Sequence, residues 1–145
     1  MTATAQHSGP AALVRRLSRA SNAHDLEAVV ACFAPGYRNE TPAHPERGFG
    51  GREQVRENWS RIFAAIPDIA TEVLRLVVDG GTVWSEWEHR GTRSDGTPHL
   101  MRGVIIFGVA DGLATWARFY LEPVQDQAGT VDEAVRRQTQ PGGRS

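Results

Sequence analysis

The feature that most constrains this chain is the spacing of its Asp-Gly turns: Asp79-Gly80-Gly81, Asp95-Gly96 and Asp111-Gly112. They separate four runs rich in β-branched and aromatic residues, at 69–78, 82–93, 100–109 and 113–122. A tight hairpin turn needs residues that tolerate positive φ, and Asp-Gly supplies them. Three successive hairpins predict a four-stranded antiparallel meander.

The first half has a different period. Pro10 suits the first position of a helix, and Leu13, Val14 and Leu17 give that helix one apolar stripe. A second helix starts near Asp25, where Asp25 and Glu27 complement the positive N-terminal end. Leu26, Val29, Val30 and Phe33 form its buried face, and Pro35-Gly36 ends it. A short strand, Tyr37 to Thr41, follows and is stopped by Pro42, before a loop rich in Pro and Gly over 42–51. From Arg52, the residues Val55, Trp59, Ile62, Phe63 and Ile66 fall at i, i+4, i+7, i+8 and i+11, the clearest helical period in the chain. Pro67 closes it. The prediction is an α+β fold: three N-terminal helices packed on a strongly curved antiparallel sheet.

Length and composition set the outer limits. At 145 residues there is room for one core, which we place at residues 10–124. Residues 1–9 are small and polar and are expected to be disordered. Residues 125–145 form a polar tail with a short helical segment around Val131–Arg137. The net charge of −1 gives no field that would attract nucleic acid or an anionic membrane. All sixteen basic residues are Arg, scattered rather than clustered. No apolar run reaches the roughly 18–20 residues of a membrane helix. Met1 to Gly9 has neither the basic nor the apolar region of a signal peptide, so the expected compartment is the cytoplasm. Cys32 is the only cysteine and reads as a small buried hydrophobe. The five histidines are dispersed, with no H-E-x-x-H pattern and no nucleophile elbow; neither a metal nor a cofactor is expected.

Strand alternation assigns faces. On the second long strand Val83, Ser85, Trp87 and His89 share the less charged face, which is expected to look toward the helices. On the third, Val104 and Ile106 make one face apolar and Ile105 and Phe107 the other. A sheet covered by helices on one side should have one wet face, so something covers the back: a second copy of the chain or the C-terminal tail. The last strand offers two readings. Either Trp116, Arg118, Tyr120 and Glu122 look inward, which requires a cavity for their polar ends, or Phe119 and Leu121 form the core and the charged set faces solvent.

This order of elements resembles the SnoaL-like branch of the nuclear transport factor 2-like superfamily. The phrases Asn22-Ala23-His24-Asp25-Leu26-Glu27, Cys32-Phe33-Ala34, Gly51-Arg52-Glu53 and Arg90-Gly91-Thr92 carry the likeness over residues 10–124. It implies a cone-shaped, cystatin-like α+β barrel around a pocket, commonly dimeric. Relatives include polyketide cyclases, limonene-type epoxide hydrolases, steroid isomerases and non-catalytic binders, so fold implies a pocket and not a reaction. Tyr37-Arg38-Asn39 resembles the Tyr-x-Asn pair with which the epoxide hydrolases hold a water. Glu122 falls where many members carry an acidic group after an aromatic residue, which favours the inward reading of its face. The epoxide hydrolases' Arg and Asp are replaced here by Trp87 and His89, and the isomerase base by Thr41.

On this reading His89 and Glu122 are the candidate proton-transfer groups, either joined in one relay or acting on different parts of the substrate. Tyr37 and Asn39 hold a water or polarise a substrate oxygen. Trp87, Trp116, Arg118, Tyr120, Trp59 and Phe63 are the candidate substrate-binding residues. The competing account pairs Arg118 with Glu122, which would keep that carboxylate ionised. The expected function is a cofactor-independent cyclase, isomerase or hydrolase acting on an apolar, ring-containing or polyketide-like metabolite. The alternatives are a non-catalytic binder with the same pocket and a protein-interaction module using the exposed sheet.

Overall fold

The computed structural model describes residues 9–125 and 129–142; most of the expected N-terminal disorder lies outside these residues. Helix α1 (Pro10–Asn22) begins on Pro10 and buries Leu13, Val14 and Leu17. Each such side chain contributes about 1.5–3 kcal/mol of burial. Its end is tied to the sheet. The Asn22 side chain accepts from the Thr71 backbone N–H at 2.6 Å and donates to the Thr71 carbonyl at 2.9 Å, as a neighbouring strand would. Helix α2 (Leu26–Val30) is one turn long, capped by Asp25 through the Ala28 N–H.

Strand β1 (Phe33–Glu40) starts earlier than the sequence suggests. Phe33 belongs to this strand and not to the helix, because the chain turns at Ala31–Cys32. Pro35 and Gly36 lie within a break of register between Phe33 and Arg38, where a strand tolerates a missing donor. A 3₁₀ turn (Pro45–Arg47) and the short β2 (Phe49–Gly50) follow. Helix α3 (Arg52–Ala65) then leads into the meander β3 (Ala70–Asp79), β4 (Thr82–Thr92), β5 (Pro98–Ala110) and β6 (Leu113–Pro123). The turns have the positive φ that the Asp-Gly signals require: +59° at Gly80, +87° at Gly96, +53° and +74° at Asp111 and Gly112.

The six strands lie in the order β2-β1-β6-β5-β4-β3. The α+β architecture is as expected, with two corrections. The sheet is curved but open, β2 and β3 being its edges, so it is not a closed barrel. It is also mixed, because β1 runs parallel to β6; the connection from β1 passes through α3 and the whole meander before β6 returns beside it.

The core lies between the inner sheet face and the helices, with Val29, Cys32, Tyr37, Val83, Trp87, Ile105, Phe107 and Ala117 buried. Helix α3 is the exception. Of its apolar stripe Val55 and, just past the helix end, Ile66 are buried, while Trp59 and Phe63 are only partly so, their tilted rings 5.4 Å apart. The strongest helical pattern in the chain is half-buried because it faces a cavity. Helix α4 (Val131–Thr139), capped by Thr130 on the Glu133 N–H, buries no residue, so it does not supply the cover for the outer sheet face.

Candidate functional site

The cavity holds about 280 Å³, near the lower end of small-molecule pockets. Its walls are mainly apolar: Phe33 and Phe49 at one side, Trp59 and Ile62 from α3, and Trp87, Ile105, Phe119 and Leu121 from the sheet. Trp87 is fixed by its own strand. Its indole N–H donates to Ser85 Oγ at 2.8 Å, and that hydroxyl donates to the Ile105 carbonyl at 2.6 Å.

Four polar side chains singled out in the sequence, Tyr37, Asn39, His89 and Glu122, line this one cavity. Tyr37 is buried, and its hydroxyl donates to Asn39 Oδ1 at 2.7 Å. Burial pushes its pKa far above the ordinary phenol value, so it stays protonated. His89 packs edge-on against Trp87, with ring centroids 5.6 Å apart, and its Nε2 is buried without a partner. Burial, and secondarily the charge of His99, lowers its pKa to about 4. At neutral pH it is an uncharged imidazole.

His89 and Glu122 are not in contact. His89 pairs with Met101 across β4–β5, and Met101 pairs with Pro123 across β5–β6. Two inter-strand spacings therefore separate the two positions, about 10 Å. Glu122 has other partners: His44 Nε2 lies 2.9 Å from Oε1 and Arg47 Nη1 3.9 Å from Oε2. Both come from the loop after β1. His44 carries no signal in the sequence, since it lies in a Pro- and Gly-rich stretch and meets Glu122 only through the fold.

The inward reading of the last strand is corrected for three residues. Trp116, Arg118 and Tyr120 lie on the outer face; Ala117, Phe119 and Leu121 take the inner one. The reason is visible at Gly108, which pairs with Trp116: a Cβ there would meet the indole at 1.8 Å, so the tryptophan lies across that glycine. Arg118 pairs with Glu40 at 3.1 Å, not with Glu122. Glu122 shares the outward parity, but at the strand's end, beside the His44 loop, its side chain still lines the cavity. Phe63 stands behind Trp59, against His24, and is not part of the lining. The phrase Arg90-Gly91-Thr92 is a packing device. A Cβ on Gly91 would sit 2.4 Å from Ile66, and the Thr92 N–H donates to Asp68 at 2.7 Å. No cluster of three His, Cys, Asp or Glu suited to a metal occurs among the described residues, and no helix among them is long and apolar enough to cross a membrane.

Helices on one face of a curved, open sheet thus enclose a small, mainly apolar cavity. The sequence profile of the SnoaL-like domain matches residues 14–117, and the chain belongs to that family. Among solved structures it is similar to IdmH, a proposed polyketide cyclase from Streptomyces antibioticus: 24% identity over 78% of this chain and 91% of that one, TM-score 0.69. A proposed SnoaL-like polyketide cyclase from a Jannaschia species is 20% identical over 78% and 85%, with TM-score 0.66. A protein of ketosteroid isomerase-like fold from Catenulispora acidiphila, solved with trimethylamine, is 19% identical over 74% and 84%, with TM-score 0.65. A sequence search of curated proteins found no match.

Proposed function

We propose that the protein is a cofactor-independent enzyme of cyclase, isomerase or hydrolase type, acting by acid–base chemistry on a small ring-containing or polyketide-like molecule. The observation that carries this reading is the placement of Glu122 and His89 on either side of one strand at the same apolar cavity. Their separation suits two groups acting on different parts of a substrate held between them, and does not suit a direct relay. Neutral His89 can take a proton, while Glu122 exchanges one at the other side. Trp87 and Trp59 supply apolar contact area. The membership of cyclase-type proteins among its structural relatives agrees with this reading.

The test is exchange of α-protons for deuterium in enolisable bicyclic ketones, followed by NMR. Glu122→Gln keeps the shape and replaces the carboxyl by an amide, and should lower the exchange rate about 10²–10⁴-fold with little change in affinity. Full turnover by that variant would overturn the assignment. One observation favours a second reading, non-catalytic binding: both Glu122 oxygens already face His44 and Arg47, an arrangement that also serves to close the cavity. Tight ligand binding with no exchange would select it.

We further propose a homodimer through the outer sheet face, in support of which Trp84, Val77 and Tyr120 are exposed there around the buried Ile106. A monomer by light scattering at micromolar concentration would defeat that assembly. The compartment we propose is the cytoplasm, which cell fractionation tests.

A further inference from the structure

The two asparagines on the cavity wall, one on β1 and one on α3, have their carbonyl ends occupied. Asn39 Oδ1 accepts from Tyr37 at 2.7 Å. Asn58 Oδ1 accepts from the Gln54 side-chain amide at 2.8 Å, one helical turn earlier. A carboxamide has one acceptor end and one donor end. With the acceptor ends taken, each side chain is held by its neighbour with Nδ2 left over. Neither Nδ2 has a hydrogen-bond partner among the described residues, and neither is sealed away, since His89 Nε2 is the one buried side-chain polar atom without a partner among those residues. Both residues are half-buried and line the cavity.

The lining is therefore rich in donors and poor in free anions. Glu122 is the single carboxylate in it, and its two oxygens face His44 and Arg47. Building on the pocket function proposed above, we infer that this site selects an uncharged apolar ring molecule through a carbonyl-type oxygen received by the Asn39 and Asn58 side-chain amides. Asn58 is thereby a substrate-binding residue of the site. The same donors would hold the oxygen of an enolate, where negative charge develops during α-proton removal, and preorganised donors of that kind favour such a charge. A site built to donate to an oxygen discriminates against the analogue that lacks it. A ketone should therefore be preferred to the corresponding hydrocarbon and amine.

Three probes with one skeleton test this: 1-tetralone, tetralin and 1-aminotetralin, titrated calorimetrically against the full chain. Tetralone should bind at least about tenfold more tightly than tetralin, the scale of one or two net hydrogen bonds, and the amine should not exceed tetralin. Asn58→Leu should bring the tetralone-to-tetralin affinity ratio close to one. Asn58→Asp keeps the acceptor for Gln54, and so the helix contact, but replaces the free donor end by an acceptor. It should reverse the ranking in favour of the amine, which a purely structural role for Asn58 would not do. Equal binding of tetralone and tetralin, or an unchanged ranking in Asn58→Asp, would overturn the inference and leave the pocket reading standing. Binding of none of the three would overturn both.

Discussion

The two faces of β4 treat neighbouring residues of similar chemistry in opposite ways. Inside, Trp87 is 2% exposed and His89 stands against it with an unpartnered nitrogen. Outside, Trp84 is 54% exposed, and Glu88, although 7% exposed, is clamped by Arg90 and by Arg102 at 2.7 Å. Both titratable groups have depressed pKa values, for different reasons. Burial removes the charged form of His89. For Glu88 the Arg102 hydrogen bond is the leading cause and favours the charged form, against the opposing effect of desolvation. One face tolerates an uncompensated polar atom and the other satisfies its charge fully. A buried polar group without a partner costs stability, and it persists here in a ring that lines the cavity.

The sharpest break of this comparison is Trp87→Ala. It removes a large side chain from the wall between core and cavity and leaves the Ser85 hydroxyl without its donor. Truncations of this size cost about 3–5 kcal/mol, measurable by urea denaturation. A loss below 1 kcal/mol would show that the inner face collapses into the cavity and that the site is not preformed.

Acidification separates the two faces next. His89 has a folded pKa of about 4 against 6.5 for the free group. Below pH 6.5 the unfolded chain binds a proton that the folded chain refuses, so stability falls between pH 6.5 and 4, by roughly 3 kcal/mol in total at about 1.4 per pKa unit. His89→Met should flatten that slope, leaving the slope from His99, whose pKa is lowered first by burial and then by Arg93. Glu88 acts in a lower window. Its carboxylate contributes stability above the ordinary value of 4.5 that is lost as pH falls through its depressed folded pKa. Glu88→Gln should lower stability near neutral pH and flatten that acid limb, by less than the His89 effect since its arginine partners are more than half exposed. Denaturation curves from pH 3 to 8 check both. Identical profiles for the two variants would remove the distinction between the faces.

How much of this was legible beforehand depends on how local the signal is. The meander could be read because each Asp-Gly turn fixes its own hairpin, and the inward face of β4 because Trp87 and Ser85 alternate with Glu86 and Glu88. Strand β6 could not be settled by parity: Trp116 and Tyr120 on one face and Phe119 and Leu121 on the other are equally apolar. What decides is Gly108 on the adjacent strand, where the indole of Trp116 fits, a fact of pairing and not of period. The early start of β1 hid behind Pro35-Gly36, which ends helices more often than it bulges strands. His44 and Asn58 were missed because a lone histidine in a loop and an asparagine on a helix carry no pattern. Their roles come from the chain path that brings His44 to Glu122 and from the turn of helix that sets Gln54 against Asn58.

The smallest expected effect is the most informative about the outer face. Trp84 lies opposite Val77 on β3 and Ile106 on β5, three residues from Trp87 on the same strand. In an isolated chain, replacing a half-exposed surface residue changes stability by no more than about 0.5 kcal/mol, so Trp84→Ala should leave a dilute sample nearly unaffected where Trp87→Ala is crippling. If a second copy covers this face, the indole is a contact residue, and aromatic contacts at the centre of interfaces often carry 2 kcal/mol or more, on the order of a thirtyfold change in dissociation constant. The expected outcome is therefore a melting temperature that rises with protein concentration in the wild type and is independent of it in Trp84→Ala, with the two proteins converging at the lowest concentration. Sedimentation equilibrium run beside the melts reads the dissociation constant directly. A wild-type melting temperature independent of concentration would mean that the outer face stands open to water.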